Sequence, residues 1–148
     1  MQTSRKALCV AYGVIALLAL VGTWGNNAAY LSLGFVGANV RFWQETLANP
    51  ASRSITVDLF FLGLAMFVWM VLEARRLGMR GVWLYLLFGM LVAISVTVPI
   101  FLINRERALA QREPGASAGT LSVFDVAGLA AVTVAIAAYT AVTLLRRS

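Results

Sequence analysis

Two aspartates stand inside otherwise apolar stretches, Asp58 in TVDLFF and Asp125 in LSVFDVAG. An ionisable group in such a stretch is costly and normally faces the interior of a helix bundle, which makes it a default site candidate. A carboxyl group in apolar surroundings can stay protonated near neutral pH and serve as a general acid. An arginine within reach opposes that role, and Arg105 stands in the run Asn104-Arg105-Glu106-Arg107. Asn26 and Asn27 add carboxamides at the end of another apolar run. A second charge group is more compact: Glu73, Arg75, Arg76 and Arg80 all fall within EARRLGMR, where the glutamate pairs most simply with Arg76, Arg80 or the loop backbone. The chain has no histidine and one cysteine, Cys9. Histidine-ligated haem, histidine-containing zinc sites, a histidine general base and an internal disulfide are therefore excluded. No P-loop, dinucleotide fingerprint, CxxC, GxSxG or HExxH pattern is present, so no metal and no cofactor is expected.

The elements that must position these residues are dictated by composition. Of 148 residues, 61% are apolar and only 12% charged, and the mean hydropathy is +0.84. A soluble domain carries about 25% charged residues, so an ordinary globular protein, a disordered chain and a nucleic-acid-binding domain are all excluded despite the net charge of +6. Four apolar stretches, at about 7–25, 55–72, 81–103 and 121–145, approach or exceed the roughly 20 residues a bilayer crossing needs. Backbone in hydrocarbon must satisfy its own hydrogen bonds, and no alternating strands suggest a barrel, so these stretches are predicted to be helices. The first has a core too long for a signal peptide and is read as a retained span. The expectation is an all-α polytopic membrane protein, a single transmembrane domain over 1–148 forming an antiparallel four-helix bundle. Residues 35–48, with Phe35, Phe42, Trp43 and Leu47 around Arg41 and Glu45, are predicted to form an amphipathic helix in the outer interface. Pro50 ends that helix, and Ser52 or Ser54 caps the second span. Ala108 to Thr120 reads as a solvated loop.

Orientation follows from the arginine and lysine count of the connections. With both termini inside, the inner segments hold seven of these residues and the outer segments five. Three arginines in the short Glu73–Arg80 link resist translocation most. Both termini are thus expected in the cytoplasm, with the bundle in a bacterial inner membrane. Small residues at four-residue spacing, Gly89-Ala93-Thr97 and Ala127-Ala131-Ala135, would let helices three and four approach closely. Pro99, two residues after Thr97, should kink helix three.

In this topology Asn26, Asn27, Asp58, Asn104, Arg105 and Asp125 all reach the outer leaflet. They form a candidate polar cluster beneath the first outer loop, with Asp58 and Arg105 close enough to interact. Each aspartate also opens a helix, where its charge meets the positive end of the macrodipole, so the same cluster can equally be a structural tie. Glu73, Arg75, Arg76 and Arg80 form a separate ion-pair motif at the inner face.

The segments TVDLFF, VWMVLEARRLGMRGVW and SVTVPIFLINRER resemble a family of small, uncharacterised bacterial four-helix membrane proteins catalogued as a domain of unknown function. The resemblance covers roughly Tyr12 to Arg107. It implies that Asp58, Glu73, Arg75, Trp83, Pro99 and Arg105 merit testing and assigns them no roles. A looser likeness is to integral-membrane terpene cyclases, which use acidic residues in a helical bundle. The leading functional expectation is a non-enzymatic protein that binds a lipid or isoprenoid molecule, or an accessory subunit of a membrane complex. The alternative is an enzyme acting on a lipophilic substrate by carboxyl acid catalysis through Asp58 or Asp125. A small multidrug exporter ranks last, because mid-span carboxylates are missing. Expected partners are membrane lipids, a lipophilic ligand, and a second copy or a complex subunit; no nucleic acid is expected.

Overall fold

The structure, a computed structural model, describes residues 3–112 and 122–145. Six α-helices follow one another: α1 Thr3–Asn27, α2 Gly34–Thr46, α3 Pro50–Arg76, α4 Val82–Leu91, α5 Ile94–Arg112 and α6 Val123–Leu145. There is no strand among the described residues. A 3-10 segment, Ala28–Leu33, joins α1 to α2. Among the described residues three helical stretches are long and apolar enough to cross a membrane: the one that opens with α1, then α3 and α6. Their large apolar side chains point outward, as at Leu17, Phe61 and Ile136, which suits a lipid solvent.

The third expected span is not one helix. The chain reverses at Val92–Ala93, and α4 and α5 fold together as an antiparallel hairpin. At the reversal the backbone is satisfied: Val92 N–H donates to Phe88 O, and Val96 and Thr97 N–H both donate to Ala93 O. Trp24 Nε1 donates to Val92 O at 3.2 Å, tying the tip of the hairpin to α1. Gly89 makes the turn tight, because a Cβ there would meet Thr97 Oγ1 at 3.0 Å and the Phe67 ring at 3.1 Å. The stripe Gly89-Ala93-Thr97 therefore closes the hairpin on itself rather than receiving the fourth span. Pro99 is buried within α5, and the break lies seven residues before it. From Ala93 to Glu106 the helix rises about 20 Å, short of the ~30 Å hydrocarbon thickness.

The α5 arm of the hairpin packs along α1 in the opposite direction, so that Arg5 meets Glu106 and Cys9 lies beside Ile103. The end of the bundle carrying Arg5, the α3–α4 turn and the C-terminal half of α5 is termed basal; the end with Asn26, α2 and the start of α3 is distal. The core sits between α3 and the hairpin. Met70, Ala74, Val82 and Phe101 are its buried residues, and Phe101 makes edge contacts with Trp69 at 5.7 Å and Tyr85 at 5.5 Å.

Local sequence explains the boundaries. Asn49, not Ser52 or Ser54, caps α3: its side chain accepts from Ser52 N–H at 2.9 Å, with Pro50 in the first helical position. At the other end Gly78 adopts φ +63°. Gly78 N–H then bonds Arg75 O, and Met79 N–H bonds Ala74 O, a left-handed stop only glycine makes without strain. In α2, Arg41 pairs with Glu45 at 2.7 Å, and Trp43 lies 5.8 Å from Phe60 of α3.

The last helix departs from the antiparallel expectation. Its contact is with the end of α1, where Gly22 faces Thr140 and Asn26 Nδ2 lies 3.4 Å from Thr143 Oγ1. The pairing steps forward along both helices, so these turns run in the same direction. Ala127, Ala131 and Ala135 are exposed. The expected solvated loop is helical through Arg112, and its remainder, 113–120, lies outside the described residues, as do Arg146 and Arg147.

Candidate functional site

The buried charged groups gather at the basal end. Glu73, in the last turns of α3, and Glu106, on α5, are 7% and 4% exposed. Arg5 Nη1 donates to Glu106 Oε2 at 2.7 Å. Arg105 then links both carboxylates: its Nε donates to Glu73 Oε1 at 2.7 Å and its Nη1 to Glu106 Oε1 at 2.9 Å. Arg76 completes the chain with two bonds to Glu73, Nε to Oε2 at 2.6 Å and Nη2 to Oε1 at 2.7 Å. The result is a continuous Arg5–Glu106–Arg105–Glu73–Arg76 network that joins α1, α5 and α3. Arg105 also lies over the Trp69 ring, 5.9 Å from its centroid. Beside it, Asn104 Nδ2 donates to Tyr85 Oη at 2.7 Å, fixing α5 to α4.

The network needs the reversal at Val92–Ala93. A straight third span carries Asn104, Arg105 and Glu106 to the distal end, far from Glu73 and Arg5. Folding back returns them to charges of opposite sign. Breaking a buried pair costs about 3–5 kcal/mol, so the electrostatic cost of the straight alternative is large for a small bundle.

The structure divides the six residues of the expected outer cluster. Arg105 and Asn104 are basal, engaged with Glu73, Glu106 and Tyr85. Asn26 and Asn27 are distal, and Asn26 Nδ2 donates to Gly22 O at 2.8 Å. Asp58 is exposed near the distal start of α3 and makes no ion pair among the described residues. It does not meet Arg105, whose guanidinium is taken by the two glutamates. Ser122 caps α6, its Oγ accepting from Asp125 N–H at 3.2 Å, and Asp125 Oδ2 reciprocates by accepting from Ser122 N–H at 2.8 Å and Ser122 Oγ at 2.7 Å; about 27 Å of helix separates Asp125 from Thr143. Of the inner group, Glu73 and Arg76 are paired, while Arg75 and Arg80 are exposed. Cys9 Sγ lies 3.9 Å from Ile103 O. No group of three metal-ligating side chains occurs among the described residues.

Arg5 and Glu106 were absent from the expected site. Glu106 has a readable signal, an acid set directly between Arg105 and Arg107, and a hairpin reading moves it with them to the end that holds Arg5.

No curated protein and no solved structure matches the chain, and the likeness to terpene cyclases finds no support there. One family model matches residues 11–107, which takes in α3, α4, α5 as far as Arg107 and both buried glutamates but excludes Arg5, Arg112 and α6. With well over half of its length matched, the chain belongs to the family described as Protein of unknown function DUF2834.

Proposed function

We propose that this is a non-catalytic multi-pass membrane protein, which binds a lipid or isoprenoid-type molecule or serves as an accessory subunit of a membrane complex. The observation that carries this reading is the state of the buried carboxylates. Glu73 and Glu106 each accept from two arginines, so neither is poised to exchange a proton with a substrate. Asp58 and Asp125, the acids of the catalytic alternative, are exposed and lie on separate helices.

The charge distribution supports an orientation. Of the ten described lysines and arginines, Arg5, Lys6, Arg75, Arg76, Arg80, Arg105, Arg107 and Arg112 are basal, and Arg41 and Arg53 distal. Positive residues accumulate on the cytoplasmic side, so the basal end faces the cytoplasm of a bacterial inner membrane. The α6 end beside Asn26 then faces outward, which replaces the expectation of two cytoplasmic termini with a cytoplasmic start of α1 and an outer end of α6.

The test is purification of the full chain from its own membranes in mild detergent, with mass spectrometry of co-purified lipids and proteins. A lipophilic molecule or a partner protein at near-stoichiometric amount is expected. Recovery of neither above a mock purification would overturn the reading, as would turnover of a lipophilic substrate that Asp58→Asn abolishes.

A further inference from the structure

The buried network leaves a second set of cations over. Arg75 and Arg80 bracket the α3–α4 turn, are exposed, and make no ion pair among the described residues. Arg112 reaches the same turn from α5: its Nη1 donates to Arg76 O at 3.0 Å, and a Cβ on Gly78 would lie 3.2 Å from its Nη2. Two arginines on one short turn and a third that reaches it from α5 thus share this part of the surface. On α1, α3, α4 and α5 the basal end has no exposed carboxylate, because Glu73 and Glu106 are buried in pairs; Asp125, exposed at the start of α6, is hydrogen-bonded to Ser122. Immediately beyond the turn, the first residues of α4 present an apolar skirt, with Trp83 64% and Leu84 59% exposed.

We infer that the α3–α4 turn is a binding site for the headgroup of an anionic phospholipid, with Arg75, Arg80 and Arg112 around the phosphate and acyl chains along Trp83 and Leu84. The two halves of the surface match the two halves of such a molecule. Guanidinium groups bind phosphate oxygens through paired N–H donors, and an exposed tryptophan beside them favours headgroup depth. A nucleic acid or an acidic peptide leaves the apolar skirt unused. The inference rests on the reading of the protein as a membrane-embedded binder and names the chemistry of one ligand.

The experiment uses the full chain in nanodiscs of phosphatidylcholine doped with phosphatidylglycerol, with native mass spectrometry of the lipids retained on release. Wild-type protein is expected to retain phosphatidylglycerol in preference to phosphatidylcholine. Each basic residue near an anionic lipid surface contributes about 1 kcal/mol, so Arg75→Gln with Arg80→Gln should weaken that preference about 30-fold. Arg75→Lys with Arg80→Lys should keep most of it, as should Arg41→Gln at the distal end. An unchanged preference in the glutamine pair would overturn the site, and so would equal loss in the lysine and glutamine pairs. Displacement of phosphatidylglycerol by millimolar inorganic phosphate would assign the arginines to free phosphate instead. If co-purification yields a lipophilic ligand or partner while the arginine pair proves irrelevant, only this site falls; if it yields neither, the general reading falls.

Discussion

Arg105 and Glu73 meet at 2.7 Å across 32 residues of sequence, and that contact exists only because the chain reverses at Val92–Ala93. The pair joins α5 to α3, and Arg105 passes the linkage to Glu106 and so to Arg5 on α1. One guanidinium therefore holds three helices at their basal end.

The pair should be energetically coupled. Arg105→Gln is expected to destabilise the protein by about 3–5 kcal/mol, because it takes a partner from two buried carboxylates at once; Glu73→Gln should cost less, since Arg76 is solvated and Arg105 keeps Glu106. The double variant should lose clearly less than the sum. Asp58→Asn, at an exposed position without an ion pair, should change stability by no more than about 0.5 kcal/mol, and combined with Arg105→Gln it should be additive. Denaturant titration in mild detergent measures all five proteins, and additive losses for Glu73 and Arg105 would separate them.

Arg5 should matter as much as a core residue although it stands five residues from the start of the sequence. Its side chain is 6% exposed against 5% for Glu106, so Arg5→Ala strands a buried carboxylate with Arg105 alone. A loss of several kcal/mol is expected, in the range of about 3–5 for a broken buried pair. Arg5→Lys should recover part of it, since the ammonium keeps the charge but not the fork of donors. Equal stability of wild type and Arg5→Ala in the same titration would remove α1 from the network.

The helical class, the apolar spans and the Glu73–Arg76 contact were legible from composition and i,i+3 spacing. The hairpin was not, because residues 81–103 are apolar throughout, and hydropathy does not distinguish one crossing from a partial entry and return. Length favoured a crossing; the deciding interactions were long-range pairs, Arg5 with Glu106 and Arg105 with Glu73, that no local pattern encodes. Gly89 is a close-contact residue, as its spacing predicts, but its neighbours are Thr97 and Phe67 and not the fourth span. A straight third span puts Arg105 at the far end, where Asp58 is its nearest partner, so the expected outer cluster follows from that one difference in topology.

Gly89 offers a local test of the hairpin. A side chain there meets Thr97 Oγ1 and the Phe67 ring at 3.0–3.1 Å, inside van der Waals contact on two sides. Gly89→Val should therefore cost about 1–3 kcal/mol by overpacking. Gly128, where an added Cβ meets nothing within 4 Å, should accept alanine with a slight gain in helix propensity. Thermal midpoints in one detergent compare the two, and equal tolerance would mean that α4 and α5 do not close on each other.

The reversal makes its sharpest prediction about sidedness. Gln111 is exposed near the end of α5, and α5 returns to the end that holds Arg5 and the α3–α4 turn. A continuous span over 81–103 instead delivers Gln111 to the opposite side of the membrane. In a Cys9→Ala background, Gln111→Cys and Arg80→Cys should therefore behave alike toward an impermeant maleimide. With the basal end cytoplasmic, both stay unlabelled in intact cells and react once the membrane is permeabilised. Asn39→Cys, on α2 at the distal end, should react in intact cells. Labelling of Gln111→Cys together with Asn39→Cys, while Arg80→Cys stays protected, would restore the straight third span. It would also dissolve the Arg105–Glu73 contact, since the two residues would then lie on opposite sides of the bilayer.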